Sequence, residues 1–290
     1  MRQRNGVASL FGVIVAIIWG MTFLSIKVAL REFGPMSLSL FRFTLASALL
    51  ALVMAGTKTS FRLAPRDIAP MALSALVGVT LYFYFENNGV LRLTASESSL
   101  IVGTIPVVTI LAEMLFFKAR PGKLVVVGIA LSFVGVALIV LRSESATSSP
   151  AGYLFMGGAA ISWAICGFIT APLSERYSLL AITFWQMAVG ALGCVPFALV
   201  ERQAWGELSA AALLNASFLG IFGSAIGYWL YVIALERLGP GKSSVFINLI
   251  PVVSVSASFV VLGERLSALQ VAGGAIAIAG VYLAGRPART

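Results

Sequence analysis

Apolar residues run through this chain in long blocks, separated by short segments that carry charge, proline or glycine. A helix needs about 20 mostly apolar residues to cross a bilayer. Ten blocks reach that length: 7–30, 36–56, 68–91, 95–117, 121–141, 151–174, 179–200, 209–235, 240–262 and 267–285. Hydrocarbon leaves no partner for an unpaired backbone group, so each block is expected to be a helix. The blocks also lack the period-two alternation of a membrane β-barrel. The pattern therefore predicts an all-α integral membrane protein with ten transmembrane helices.

Two of the blocks say nearly the same thing. "SSLIVGTIPVVTILAEMLFF" (98–117) and "SSVFINLIPVVSVSASFVVL" (243–262) each carry a proline near the middle, Pro106 and Pro251, at an offset of 145 (251 − 106). The same register aligns Ser98-Ser99 with Ser243-Ser244, Gly128 with Gly273, and Gly135 with Gly280, and an offset one smaller places Trp19 on Trp163. This marks an internal duplication of five spans, residues 7–141 and 151–285. Because five is odd, the second copy enters the membrane from the opposite side, which makes an inverted-topology repeat around a central cavity. Two near-equivalent halves can exchange conformations, and that is the basis of alternating access. Pro106 and Pro251 each delete a backbone hydrogen bond, and they are the expected hinges.

Composition confirms lipid as the solvent: 59% of the 290 residues are hydrophobic and 11% charged, with mean hydropathy +0.99, against about a quarter charged in soluble domains. The excess of 20 Lys and Arg over 11 Asp and Glu does not point to nucleic acid, because the cations sit between apolar blocks and not on one basic face. With ten spans, thirteen of them fall on the same side of the membrane as the N-terminus, while Arg31, Arg92, Arg142, Arg202 and Arg265 fall on the other. The positive-inside rule then puts both termini in the cytoplasm, for a multi-pass protein of a bacterial inner membrane. The first block is too long for a signal-peptide core and reads as a retained span. There is no histidine and only two cysteines, Cys166 and Cys194, so neither metal and cofactor chemistry nor an enzyme's catalytic constellation is expected. "GPGKSS" (239–244) lacks the first glycine of a phosphate loop, which would fall on Glu236, and reads as a membrane-edge turn.

"WGMTFLSIK" (19–27) followed by Arg42-Phe43, together with "LGERLSALQVAGGAIAIAGVYL" (262–283), resembles the opening and closing motifs of the EamA type of the drug/metabolite transporter superfamily. In size and aromatic content the chain looks most like the YddG-type amino-acid exporters. The resemblance implies ten helices in two inverted repeats. It departs from the family where "FFKARPGK" (116–123) replaces a Gly-Glu-Arg-Leu, and where the second half lacks the Trp-Gly and Lys of the first. What it implies about function is a secondary transporter that exports amino acids, favouring aromatic or large neutral ones. A broad-specificity drug or metabolite exporter is the alternative, with a lipid flippase or a channel behind it.

Helical spacing picks out the faces that a cavity would use. Ser99, Gly103, Pro106, Ile110 and Glu113 form one stripe, Ser244, Asn248, Pro251 and Val255 its counterpart. Gly78, Tyr82, Phe85, Glu86 and Gly89 form another, matched by Ser224, Gly227, Tyr228 and Tyr231. Trp19 and Trp163 complete the ring, and Trp185 is a further aromatic candidate. The expected substrate contacts are stacking on Trp163 and Tyr82, with polar groups held by Ser244, Asn248 and Glu86, and with Ser99, Trp19, Trp185 and Tyr231 around them. Lys27 and Arg42 are expected near the outer interface, snorkelling or ion-paired. The seven-residue recurrence of glycine in the fifth and tenth blocks suits close helix packing. The partners expected are a small-molecule substrate and the bilayer, with the chain acting as a monomer.

Overall fold

The computed structural model describes residues 2–117, 122–141, 148–238, 246 and 249–284. Among these residues every regular element is helical. The helices are α1 (Arg2–Ala29), α2 (Pro35–Gly56), α3 (Pro65–Ala75), α4 (Tyr82–Arg92), α5 (Ala95–Val102), α6 (Ile105–Phe117), α7 (Lys123–Leu141), α8 (Pro150–Ser174), α9 (Leu179–Glu201), α10 (Ala210–Phe218), α11 (Gly227–Leu238), α12 (Ile250–Leu262) and α13 (Ala268–Ala284). Seven helical stretches among the described residues are long and apolar enough to cross a membrane, and Lys123–Ile139, Ile250–Leu262 and Ala268–Ala284 are shorter apolar helices. The protein is a multi-pass membrane protein.

Helix starts follow local chemistry. Pro35, Pro65 and Pro150 occupy first-turn positions, where a missing N–H costs nothing. Ser149, Ser178 and Ser209 accept from the backbone N–H groups of Gly152, Ala181 and Ala212, a cap that contributes about 1 kcal/mol each. Thr94 and Glu97 form a reciprocal capping box at the start of α5.

Four irregularities fall at related places. A π-helical segment, Leu76–Leu81, joins α3 to α4, and another, Leu219–Ile226, joins α10 to α11. Such segments insert an extra residue per turn and are frequent at functional sites. Both lead directly into the tyrosine-bearing helices. The fourth block is broken at Gly103-Thr104, so that Pro106 lies in the first turn of α6, and Pro251 lies in the first turn of α12. Each proline thus stands at the start of a half-helix, not as a kink inside a continuous one.

The two halves pack reciprocally. Helix α1 lies against α11 and α12, and α8 lies against α4 and α6; α2 pairs with α9, and α7 with α13. The last pair is the tightest: a Cβ on Gly135 would fall 2.5 Å from the Gly273 carbonyl, and one on Gly280 2.6 Å from the Gly128 carbonyl. All four glycines let the two backbones meet. The central core joins Phe43, Leu50, Val79, Tyr82, Phe83, Ile105, Leu180 and Met187.

Carboxylates stitch one end of the bundle. Glu201 accepts from the N–H groups of Met36 and Ser37, both at 2.8 Å, and from the Ser37 hydroxyl at 2.7 Å. Glu264 does the same at α5, accepting from Ala95 N at 2.9 Å, Ser96 N at 3.0 Å and Ser96 Oγ at 2.7 Å. Negative charge at a helix N-terminus is favourable. Glu97 accepts from Gln270 Nε2 at 3.0 Å and Tyr153 OH at 2.9 Å. Bonds from the Ser209 hydroxyl and N–H to Glu32 hold its carboxyl below the usual range. Lys27, expected to snorkel or pair, instead points its ammonium at the last carbonyls of α4, donating to Val90 O at 2.9 Å and to Leu93 O, where a cation complements the helix dipole. At the opposite end Asp67 pairs with Arg176 at 3.0 Å and accepts from Tyr177 OH at 2.8 Å.

Candidate functional site

Two compartments that share lining residues lie at the centre, beside the breaks at Gly103 and Pro251. One, of about 170 Å³, is lined by Trp19, Thr22, Phe23, Arg42, Tyr82, Phe83, Glu86, Gly103, Pro106, Trp163, Tyr228 and Ile250. The other, of about 280 Å³, shares Trp19, Phe83, Trp163 and Tyr228 and extends past Cys166, Thr170, Gln186 and Tyr231 to Leu179 and Leu235. Leu179 follows Tyr177, so this second compartment runs towards the Asp67–Arg176 end.

Aromatic rings form the shared wall. Trp163 packs on Tyr82 with centroids 5.2 Å apart. Across from them Trp19 contacts both Tyr228 and Tyr231, each at 5.2 Å. The Trp19 indole N–H donates to the Gly223 carbonyl at 2.9 Å, within the second π-helical segment. That approach depends on Gly227, where a Cβ would sit 2.7 Å from the Trp19 indole nitrogen. Tilted ring pairs of this kind contribute about 0.5–1.5 kcal/mol beyond their buried area.

Two charged groups enter the smaller compartment. Glu86, 5% exposed, accepts a hydrogen bond from Tyr82 OH at 2.8 Å. Arg42, also 5% exposed, donates from Nε to Ser224 Oγ at 2.7 Å and lies over the rings of Phe43 and Phe83 at 5.1 and 4.6 Å. Its expected place at the outer interface is corrected here: Phe43 and Phe83 supply cation–π faces that let the guanidinium stay deep.

Trp19, Tyr82, Glu86, Trp163 and Tyr231 are therefore brought to one cavity, with Pro106 at its edge. Ser99 is not: it is fully buried and its hydroxyl is spent on the Ser96 carbonyl of its own helix, at 2.8 Å. Trp185 packs away from the cavity, beside Phe184 and in a cluster with Met71 and Leu173. Glu113 is exposed on α6. Ser244 and Asn248 lie outside the described residues. Pro251 touches the cavity only through its neighbour Ile250 and through Gly103.

A polar group that the sequence reading missed lies in the larger compartment. Gln186 donates to Thr170 Oγ1 at 2.9 Å and to Ser74 Oγ at 3.2 Å, beside Cys166. The signal was available, since Gln186 interrupts an apolar block as Glu86 does.

Comparison with known proteins gives a consistent result. Residues 6–141 and 150–286 each match the model of the EamA-like transporter family. A protein of Streptantibioticus cattleyicolor named "Probable terminal-alkyne amino-acid exporter" is 30% identical over 94% of this chain and 92% of its own length. An "Uncharacterized transporter" of Archaeoglobus fulgidus is 29% identical over 96% of this chain and 97% of its own. A "Probable amino-acid metabolite efflux pump" of Salmonella typhimurium is 25% identical over 98% and 95%. One crystal structure of a protein 19% identical to this chain superposes with a TM-score of 0.69 over 96% of both chains, a likeness of fold.

Proposed function

The chain belongs to the EamA-like transporter family, and on that premise we propose that it is a secondary transporter exporting amino acids, aromatic or large neutral ones above all, by alternating access. The observation that carries this reading is the central cavity: aromatic walls from Trp19, Tyr82, Trp163 and Tyr228 beside buried ionic groups at Glu86 and Arg42. Apolar walls with a few placed polar groups suit a small amphiphilic ligand. The names of two relatives, a terminal-alkyne amino-acid exporter and an amino-acid metabolite efflux pump, support the substrate class.

In this reading the seven long helices and the three shorter apolar ones are ten spans, in repeats 7–141 and 151–285 with inverted topology. Two matches of one family model, at 6–141 and 150–286, support the division. So does the reciprocal packing, in which α1 meets α11 and α12 as α8 meets α4 and α6. The loop cations support cytoplasmic termini in a bacterial inner membrane. Export then proceeds from a cavity that extends towards the Asp67–Arg176 end, assigned to the cytoplasm, while a pocket of about 540 Å³ at the carboxylate-capped end, lined by Lys27, Glu97, Glu264 and Gln270, shares no lining residue with it. The turnover step opens the second end as the first closes, with the breaks before Pro106 and Pro251 as hinges.

Uptake of a radiolabelled amino-acid panel into proteoliposomes, with and without a pH gradient, tests this. Saturable flux of phenylalanine, tryptophan or leucine is the expected result. Flux that rises without saturation would make the protein a channel, and organic cations outcompeting every amino acid would make it a broad-specificity drug exporter.

A further inference from the structure

We propose that Arg42 and Glu86 are the two jaws of a clamp for a zwitterion, Arg42 taking the α-carboxylate of the substrate and Glu86 its α-ammonium. The proposal rests on the amino-acid reading above and assigns to Arg42 a binding role which that reading does not give it.

Both groups are almost wholly buried and both line the same small compartment. Yet the only ion pairs among the described residues involve Asp67, so Arg42 and Glu86 are not closed on each other. Opposite charges buried at membrane depth are costly, and direct pairing is the usual relief. Here they are held apart instead, each steadied by one neutral hydrogen bond: Nε of Arg42 by Ser224, and Glu86 Oε1 by the hydroxyl of Tyr82.

The guanidinium carries five N–H donors in a planar fork. The described protein engages one, and the flanking Phe43 and Phe83 rings offer faces but no acceptor. Gly223 packs beside the fork, where a Cβ would lie in van der Waals contact with its Nη2 at 3.7 Å. A fork with free donors, held against two rings, fits a carboxylate bidentately. Glu86 is acceptor-only when ionised and suits an ammonium. Trp163 and Tyr228 line the same compartment as the jaws and offer rings to the side chain of an aromatic ligand. Tyr82 and Glu86 follow the first π-helical segment, and Ser224 lies inside the second. Both jaws stand in the first repeat, while Trp163, Tyr228 and the Ser224 that steadies Arg42 stand in the second, so a ligand held by the jaws with its ring on that wall would join the two halves.

The test is competition binding on the purified full chain, with L-phenylalanine, phenethylamine (ammonium only) and 3-phenylpropanoate (carboxylate only) as probes. In the unaltered protein L-phenylalanine should bind best. Arg42→Gln should weaken L-phenylalanine by about thirtyfold or more, the effect of truncating one partner of a buried charge pair, and leave phenethylamine unchanged. Glu86→Gln should spare 3-phenylpropanoate in the same way. Should Arg42→Gln fail to melt as a folded protein, Arg42→Lys and Glu86→Gln read the same selectivity, the lysine keeping the charge and losing the fork. Equal loss of all three probes in the folded variants overturns the clamp and leaves the amino-acid reading standing. Failure of the unaltered protein to bind any amino acid overturns that reading and the clamp with it.

Discussion

The pyrrolidine ring of Pro251 lies against Gly103, its Cγ 3.1 Å from the place a Cβ would take there. Gly103 is the residue at which the fourth block breaks, three positions before Pro106, and Pro251 stands in the first turn of α12. The two interruptions that the repeat places half a chain apart in sequence are therefore in contact in space. They meet beside the central cavity, where Gly103 and Pro106 form part of its lining. Movement at one break displaces the surface on which the other rests.

Away from that centre, the α7–α13 seam should behave as a rigid joint. A Cβ on Gly280 would lie 2.4 Å from the Ser132 backbone nitrogen, whereas one on Gly157 would meet nothing within 4 Å. Overpacking against backbone costs about 1–3 kcal/mol. Gly280→Leu should lower the melting temperature of the detergent-solubilised protein, and Gly157→Leu should leave it in place. Equal melting of the two would mean the seam yields freely.

The capped end offers a second expectation. Glu264 closes the start of α5 with three hydrogen bonds, and Glu264→Gln keeps the shape but removes the charge that the helix N-terminus favours. A loss of about 1.4 kcal/mol would shift the open-to-closed ratio tenfold. In a background freed of Cys166 and Cys194, a reporter cysteine at Val102 should label faster with an impermeant thiol reagent added from outside the cell. Unchanged labelling would show that Glu264 is a local cap and holds no gate.

Much of this arrangement was legible in the chain. Block length announced the helices, because hydrocarbon tolerates little else, and the duplicated prolines located the breaks. The glycine recurrence announced close packing of the fifth and tenth blocks, but not that they pack on each other. Helical spacing collected Trp19, Tyr82, Glu86, Trp163 and Tyr231, since residues on one face of a helix meet one neighbour. It failed for Ser99, whose hydroxyl turns back to its own helix, and for Trp185, because a periodic stripe does not say which of two neighbouring helices it faces. Arg42 was misplaced for a physical reason: charge in a span is assumed to seek water, and no sequence pattern shows that Phe43 and Phe83 will both offer it their rings. Glu97 and Glu264 were legible only in part. The Thr94–Glu97 spacing is a capping-box signature, but the caps that Glu201 and Glu264 provide join segments more than 160 positions apart.

The aromatic wall should show itself in selectivity. Trp163→Ala removes the ring packed at a tilt on Tyr82, a contact that contributes about 0.5–1.5 kcal/mol beyond its area. Transport of phenylalanine and tryptophan should fall several times further than that of alanine, read as initial rates in proteoliposomes. A uniform fall across all substrates would make Trp163 a packing residue.

The contact between Gly103 and Pro251 makes the hinge prediction sharper than two independent kinks would allow. In the inverted arrangement proposed above, the break before Pro106 would serve one end of the cavity and the break before Pro251 the other, so Pro106→Ala and Pro251→Ala should bias the protein towards opposite facings. Each substitution restores a backbone donor in the first turn and permits the half-helix to extend back across its break. Because the breaks touch, their effects should also fail to add: neighbouring residues typically couple by about 0.5–3 kcal/mol. The measurement is labelling of cysteines at Val102 and Leu235, which line different compartments, in each single mutant and in the double. Opposite changes in the singles, with a double mutant that departs from their sum, is the expected outcome. Bias in the same direction from both would mean that the prolines only terminate helices, and strict additivity would mean that the contact at Gly103 transmits nothing between the halves.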